Sequence, residues 1–259
     1  MAAEILIGTC GFARSQARTF AEFGIVEIQQ SFYQPPHLET AQRWRARAPA
    51  GFTFTLKAWQ LLTHRADSPT YRRLQTPLSP RQLSQAGGLR WNRVTRMAWR
   101  RTLELALALQ AEAVVFQTPP SFLPTEAHLE RLRRFFTAID RQDMRMVFEP
   151  RGEAWTDAIM RPLCADLHLV HGVDPFLRPP ASAGMRYYRL HGRPAYHYRY
   201  RYSDIELETL YGMLAPGQPN RILFNNDHMA EDALRFLRVV KRRQATTGIT
   251  GDPPSTAPA

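Results

Sequence analysis

Short runs of β-branched and aromatic residues recur along this chain, and most are separated by stretches whose apolar positions repeat every three or four residues. The runs predict strands over 4–10, 24–30, 52–58, 113–119, 144–150, 166–174, 186–192 and 221–227, and the intervening stretches predict helices over 37–48, 96–110, 125–141, 153–164, 203–214 and 230–243. Strand, helix, strand in succession implies parallel pairing through helical crossovers. Eight such units in 259 residues suit an α/β fold of the (β/α)8 TIM-barrel type. A doubly wound open sheet is disfavoured because the turn after the first strand, "GTCGFA" at 8–13, does not match G-x-G-x-x-G.

Two stretches depart from the rhythm. Residues 59–95 form a long excursion after the third strand, rich in Arg, Ser, Pro and Gly, which reads as an active-site lid or a short helical subdomain. Residues 175–185 leave little room for a helix. The expected organisation is therefore a single barrel domain over 1–244 and a disordered tail over 245–259, whose polar and Pro-rich sequence has almost nothing to bury.

The polar residues of the strands change the picture. "RYYRLHG" at 186–192 begins like core, then places Arg189 and His191 where Val or Ile would pack better. Alternation resolves this: Tyr187, Arg189 and His191 would face the barrel interior, while Tyr188 and Leu190 pack against outer helices. The other strand ends are polar too, with Glu27 and Gln29 on the second, Lys57 on the third, Gln117 on the fourth, Glu149 and Arg151 on the fifth, Asp174 on the sixth and Asn225 on the eighth. Catalytic groups of such barrels gather at the carboxyl ends of the strands, so these residues would converge on one rim.

Charge and composition refine the expected ligand. A net charge of +11 favours an anionic partner, yet Lys57 and Lys241 are the two lysines, so the charge is carried almost wholly by arginine and can reflect composition alone. Nucleic acid is the less favoured partner, because no helix-turn-helix, zinc-finger or RNA-binding signature accompanies the charge. In a chain with so little lysine, Lys57 at a strand end invites a role that arginine cannot fill. His191 is an acid/base candidate because imidazole titrates near neutrality; Glu27 reads equally as a catalyst or as one half of a buried ion pair. Glu149, Asp174 and His191 have metal-ligand chemistry without ligand spacing, so no metal is assigned and the cofactor stays open. Cys10 and Cys164 read as small core residues. The alternation "AYHYRYRY" at 195–202 reads as a cover for the barrel mouth or as a surface that stacks on rings. Without a long apolar run or a leader-like N-terminus, a soluble cytoplasmic protein is expected, with no membrane partner.

Seven ordered segments, "IGTCGF" (7–12), "VEIQQSFYQPP" (26–36), "GFTFTLKAWQLLTH" (51–64), "FEPRGEAW" (148–155), "VDP" (173–175), "YYRLHGR" (187–193) and "FNND" (224–227), resemble the signature segments of the DUF72, or YecE-like, family. The resemblance implies a TIM barrel with a polar pocket at the strand ends and no established activity. Carried onto matching positions, it marks Glu27, Lys57, His64, Glu149, Arg151, Trp155, Asp174, Arg189, His191, Gly192 and Asn225. The chain departs from the family pattern at Cys10, Phe12 and Gln29–Ser31, and around Arg151, where a histidine usual to the family is missing.

The expectation is an enzyme, a hydrolase or isomerase, acting on a small phosphorylated or sugar-like substrate. Lys57, Glu149 and His191 would be catalytic, with Arg189, Arg151, Glu27, Gln29, Asp174, Asn225, His64, Trp155 and Tyr187 lining the substrate. The alternatives are a nucleic-acid-binding protein and a metabolite-binding protein without turnover.

Overall fold

A computed structural model describes residues 4–248. The eight strands are β1 Ile5–Cys10, β2 Ile25–Ile28, β3 Thr53–Lys57, β4 Ala113–Thr118, β5 Arg145–Pro150, β6 Leu169–Val173, β7 Arg186–Leu190 and β8 Asn220–Phe224, all parallel and closed in sequence order into a barrel. The helices are α1 Gln16–Glu22, α2 Gln30–Tyr33, α3 Leu38–Arg47, α4 Gln60–Thr63, α5 Pro80–Gln85, α6 Arg93–Leu109, α7 Glu126–Ala138, α8 Asp157–Asp166, α9 Asp204–Gly212 and α10 Met229–Gly248. The alternation of the strands separates two environments. Outward residues such as Phe54, Leu56, Phe116 and Phe148 join one helix-covered core, and Tyr188, Leu190, Ile222 and Phe224 join another against α10. Inward residues Cys10, Ile25, Val115, Val147, Tyr187 and Leu223 fill the barrel itself.

Helix ends follow from local chemistry. Asn92 caps α6 three residues earlier than the apolar period suggests, its Oδ1 accepting the N–H groups of Val94 and Thr95. α1, seven residues long, has too few turns for its period to stand out. Between β6 and β7 the described chain carries no helix, as the length of that stretch implied.

Two expectations are corrected. The 59–95 excursion, expected as an active-site lid or a short helical subdomain, is helical but packed into the barrel's own core: Trp59, Leu61, Leu62, Ala86 and Leu89 are buried with α6, with a 3-10 turn at Pro69–Arg73 and α5 between them. Its Leu-rich start gave it apolar area to bury, which the surrounding Arg, Ser and Pro obscured. At the other end α10 continues through Gly248, so 245–248 are helical; 249–259, also expected to be disordered, lie outside the described residues.

The open bottom of the barrel is closed by charge. Arg221 points inward from β8 and donates to Glu112 and Glu4, at 2.7 Å from Nε to Glu112 and 2.7 Å from Nη2 to Glu4.

Candidate functional site

The strand alternation sends Tyr187, Arg189 and then His191 up the interior of β7 toward the carboxyl rim, and all three are buried. Arg189 organises what surrounds it. Its Nε and Nη2 donate to the two oxygens of Glu27 at 3.0 and 2.8 Å, and its Nη1 donates to Glu149 Oε2. Glu27 also accepts from the Tyr187 hydroxyl at 2.9 Å and from the Gln29 amide. The Tyr187 hydroxyl in turn accepts from Thr55, 2.7 Å away. A fully buried carboxylate survives through such donors. Glu27, Gln29, Tyr187 and Arg189 are therefore committed to one another, and Arg189 presents no free cation to a ligand. Its expected part in substrate binding is corrected on that ground: it holds two carboxylates in place.

Above this layer the geometry is looser. Glu149 Oε1 faces Arg151 Nε at 3.9 Å and His191 Nε2 at 4.0 Å, both beyond hydrogen-bond reach. Arg151 Nε and both ring nitrogens of His191 are buried without a hydrogen-bond partner among the described residues. Orphaned buried donors are uncommon. A ligand oxygen placed between Arg151 Nε and the His191 ring would accept from Arg151 and from the one ring nitrogen of neutral His191 that carries a proton. Lys57 stands beside this group with Nζ 3.9 Å from the centre of the Phe32 ring, and His64 packs edge-on against the same ring at 4.8 Å.

Burial and charge set the protonation states. Burial and the positive field of Arg189 lower the Lys57 ammonium to about 7. Burial likewise brings His191 and His64 down to about 3, so both are neutral at physiological pH. For Glu149 burial acts upward but is outweighed by Arg189, His191 and Arg151, which leaves the carboxyl at about 2. Asp174 is raised by burial to about 6 while accepting the backbone N–H groups of His191 and Phe176, each at 3.1 Å. Cys10 is driven well above the thiol range, first by burial and then by Glu27, which leaves it without thiolate character.

The shift at Lys57 carries a stability consequence. Its folded value of about 7 lies below the ordinary 10.5, so between these values the unfolded chain holds a proton that the folded chain lacks, and stability from this group rises with pH across that window. Lys57→Met is expected to be more stable than the parent by about 1–3 kcal/mol at pH 6 and to lose that advantage above pH ~10. Urea denaturation of both proteins at the two pH values measures the difference; an advantage that does not depend on pH would contradict the assignment.

The rim is roofed by residues 193–202. Gly192 makes the turn into this segment with φ +83, and a Cβ there would lie 2.0 Å from the His197 carbonyl oxygen, so no other residue permits the chain to fold back so closely. The roof is tied to the end of β8 by Asn226, whose side chain donates to the Tyr200 carbonyl at 2.7 Å, and by Asp227 N–H to the Tyr198 carbonyl at 2.7 Å. Tyr196 then sits 5.4 Å from the His191 ring and beneath the Arg151 guanidinium at 3.9 Å, with Tyr198 6.3 Å from His191. The Tyr-rich alternation thus covers the mouth.

The structure brings Lys57, Glu149, Arg151, Asp174 and His191 to one rim, with His64 joined through Phe32. Two expected residues stand apart. Trp155 lies in the core behind β5, its indole N–H donating to the Phe122 carbonyl at 2.9 Å, so it is corrected from a substrate contact to a packing residue. Asn225 is half-buried and continues the ladder through its N–H to the Leu190 carbonyl at 2.8 Å. Phe32 and Tyr196 were not singled out individually; the Tyr-Arg alternation pointed to the second and nothing local marks the first, whereas Asn226 falls in the polar end of the eighth strand, "FNND" at 224–227. Among the described residues no group of three or more His, Cys, Asp or Glu is placed to hold a metal ion, and no helix is long and apolar enough to cross a membrane.

Fold and rim together define a (β/α)8 barrel protein with a closed acid–base cluster at the carboxyl ends of its strands. The chain belongs to DUF72, described as a protein family of unknown function, whose model matches residues 14–258. Solved structures agree. A DUF72 family protein from Enterococcus faecalis V583 (EF0366) superposes with a TM-score of 0.69 at 18% identity, covering 92% of this chain and 98% of its own. Another from Thermotoga maritima MSB8 (TM1631) gives 0.65 at 18%, covering 92% and 99%. A D-psicose 3-epimerase solved in the presence of D-fructose gives 0.56 at 11%, covering 90% and 93%, a likeness of fold alone. No curated protein matches the chain by sequence.

Proposed function

We propose that the protein is an enzyme performing acid–base chemistry, a hydrolysis or an isomerisation, on a small anionic or sugar-like substrate at this rim. The observation that carries the reading is His191: a neutral imidazole, buried, with both nitrogens unpartnered and Glu149 Oε1 4.0 Å away. A neutral imidazole donates or accepts one hydrogen bond at an oxygen without adding charge, which suits polarisation of a carbonyl or hydroxyl. Lys57 is the proton carrier, because a group near 7 exchanges protons readily at neutral pH. Glu149, held ionised by Arg189, orients and charges the site rather than shuttling a proton. Lys57 and Arg151 are the cations available to a substrate anion, and such an anion would hold Lys57 protonated. Entry requires the 193–202 roof to shift, since His191 is 1% exposed beneath it.

The test is turnover of a panel of sugar phosphates, phosphomonoesters and free sugars, with solvent deuterium incorporation read by NMR. His191→Gln is expected to lower turnover by about 10²–10⁴, the usual range for a positioned acid–base group. Turnover equal to the parent in both His191→Gln and Lys57→Met would defeat the proposal.

A second reading, polyanion binding, is favoured by one observation. A cavity of about 920 Å³ on the barrel flank, between α2 and α6, is lined by Arg72, Arg73, Arg100 and Arg101. Nucleic acid held there would dissociate steeply with added salt, about a thousandfold over a modest increase, whereas a rim ligand would respond far less.

A further inference from the structure

Beside the rim, beyond the ends of β3 and β4, lies a cavity of about 460 Å³ that the proposed chemistry does not use. Three guanidinium groups border it: Arg65 after α4, Arg90 before α6 and Arg131 on α7. Arg90 and Arg131 converge over Gly88, where a Cβ would lie 4.0 Å from Arg90 Nε and 4.0 Å from Arg131 Nη1. Among the described residues one acid, Asp67, lines the same cavity, 3.7 Å from Arg65 with both side chains largely exposed. Burial first, and then the charges of Arg131 and Arg65, depress Arg90, whose Nη1 donates to the Ser84 carbonyl at 2.7 Å.

The floor is aromatic. Trp155, Phe122 and His128 form a three-ring stack, with centroids 6.0 and 4.3 Å apart and planes inclined by 17° and 25°. Trp155 and Phe122 are buried, whereas His128 is half-buried, lines the cavity and is held by Nδ1 at 2.7 Å from the Leu123 carbonyl. A planar ring laid on His128 would extend the stack by one member. Gly88, at φ +63, lines the cavity, and Gly87 before it, at φ +73, passes so near the His64 carbonyl that a Cβ would meet it at 2.0 Å.

We infer that this cavity is a binding site for a nucleoside monophosphate, with the base stacked on His128 and the phosphate held between Arg90 and Arg131, assisted by Arg65. The volume suits a ligand of that size. Guanidinium forks match phosphate oxygens, and a stack ending in a half-exposed ring supplies a face that any base can use. None of the residues that line it takes part in the proposed chemistry at the rim, so it stands whether or not the acid–base reading holds.

Calorimetric titration of the whole chain with AMP, adenosine, ribose 5-phosphate and inorganic phosphate tests it. AMP is expected to bind with a Kd below about 1 mM and each of the other three at least about tenfold more weakly. Arg65→Gln/Arg131→Gln should weaken AMP by about tenfold or more while leaving adenosine unchanged, and His128→Ala should weaken AMP while leaving inorganic phosphate unchanged. Melting temperatures of the variants within a degree or so of the parent show that the fold is retained. Absence of AMP binding at millimolar concentration overturns the inference, as does AMP binding no tighter than that of phosphate. AMP affinity lost in His191→Gln but kept in the arginine variant would place the nucleotide in the barrel mouth instead. A short oligothymidylate bound about a hundredfold more tightly than AMP would reassign the cavity to a nucleic-acid strand.

Discussion

Arg189→Met is expected to destabilise the protein by about 3–5 kcal/mol, the range found when one partner of a buried ion pair is removed and the other is left uncompensated. Here two carboxylates are left. Glu27 is 0% exposed and Glu149 5%, and Arg189 bonds to both through Nε, Nη1 and Nη2. The loss should also depend on pH in a definite direction. In the parent, Glu149 titrates at about 2 in the folded state against an ordinary 4.5, so its contribution is present above 4.5 and is lost as pH falls toward 2. Without Arg189, burial dominates and raises that carboxyl, so the folded variant takes up a proton more readily than the unfolded chain. The stability gap between parent and variant should therefore narrow from pH ~7 to pH ~4. Denaturant unfolding at the two pH values measures this; a loss under about 1 kcal/mol, or a gap that widens in acid, would mean that Arg189 does not compensate the pair.

Glu149→Gln separates charge from shape at the same place. The amide keeps the volume and can still accept from Arg189, while Glu27 continues to pair with that guanidinium, so the fold should be retained. Turnover is expected to fall by about 10²–10³, the range for loss of a preorganised electrostatic group, because the ionised carboxylate that faces His191 and Arg151 is gone. The pH profile should move as well. The Glu149 charge raises Lys57, against the larger downward effects of burial and Arg189. Its removal lowers the ammonium further, so the limb expected near pH 7 for the parent should shift to lower pH. A merely structural carboxylate would change the amount of active protein and leave that limb in place. Coincident profiles with a reduced plateau would sink the assignment.

Much of the barrel was legible before any coordinates, because strand alternation and helical period are local properties of the chain. β7 shows this well: Tyr187, Arg189 and His191 had to share one face, and Tyr188 and Leu190 the other, whatever surrounded them. The polar strand ends followed from the same regularity. What sequence reasoning could not supply was partnership. Whether Arg189 would meet a ligand or the carboxylates of Glu27 and Glu149 depends on residues 162 and 40 positions away, brought together by barrel closure. Trp155 carried the same family signal as Arg151 four residues earlier, yet one side chain turns behind β5 into the core and the other turns over the rim. Local pattern determines which side chains face inward, since that is set by backbone geometry within a few residues. Which inward charges cancel and which stay unpaired is decided by distances across the closed barrel, and burial within it, joined at Lys57 by the charge of Arg189, leaves His191 neutral and Lys57 near 7.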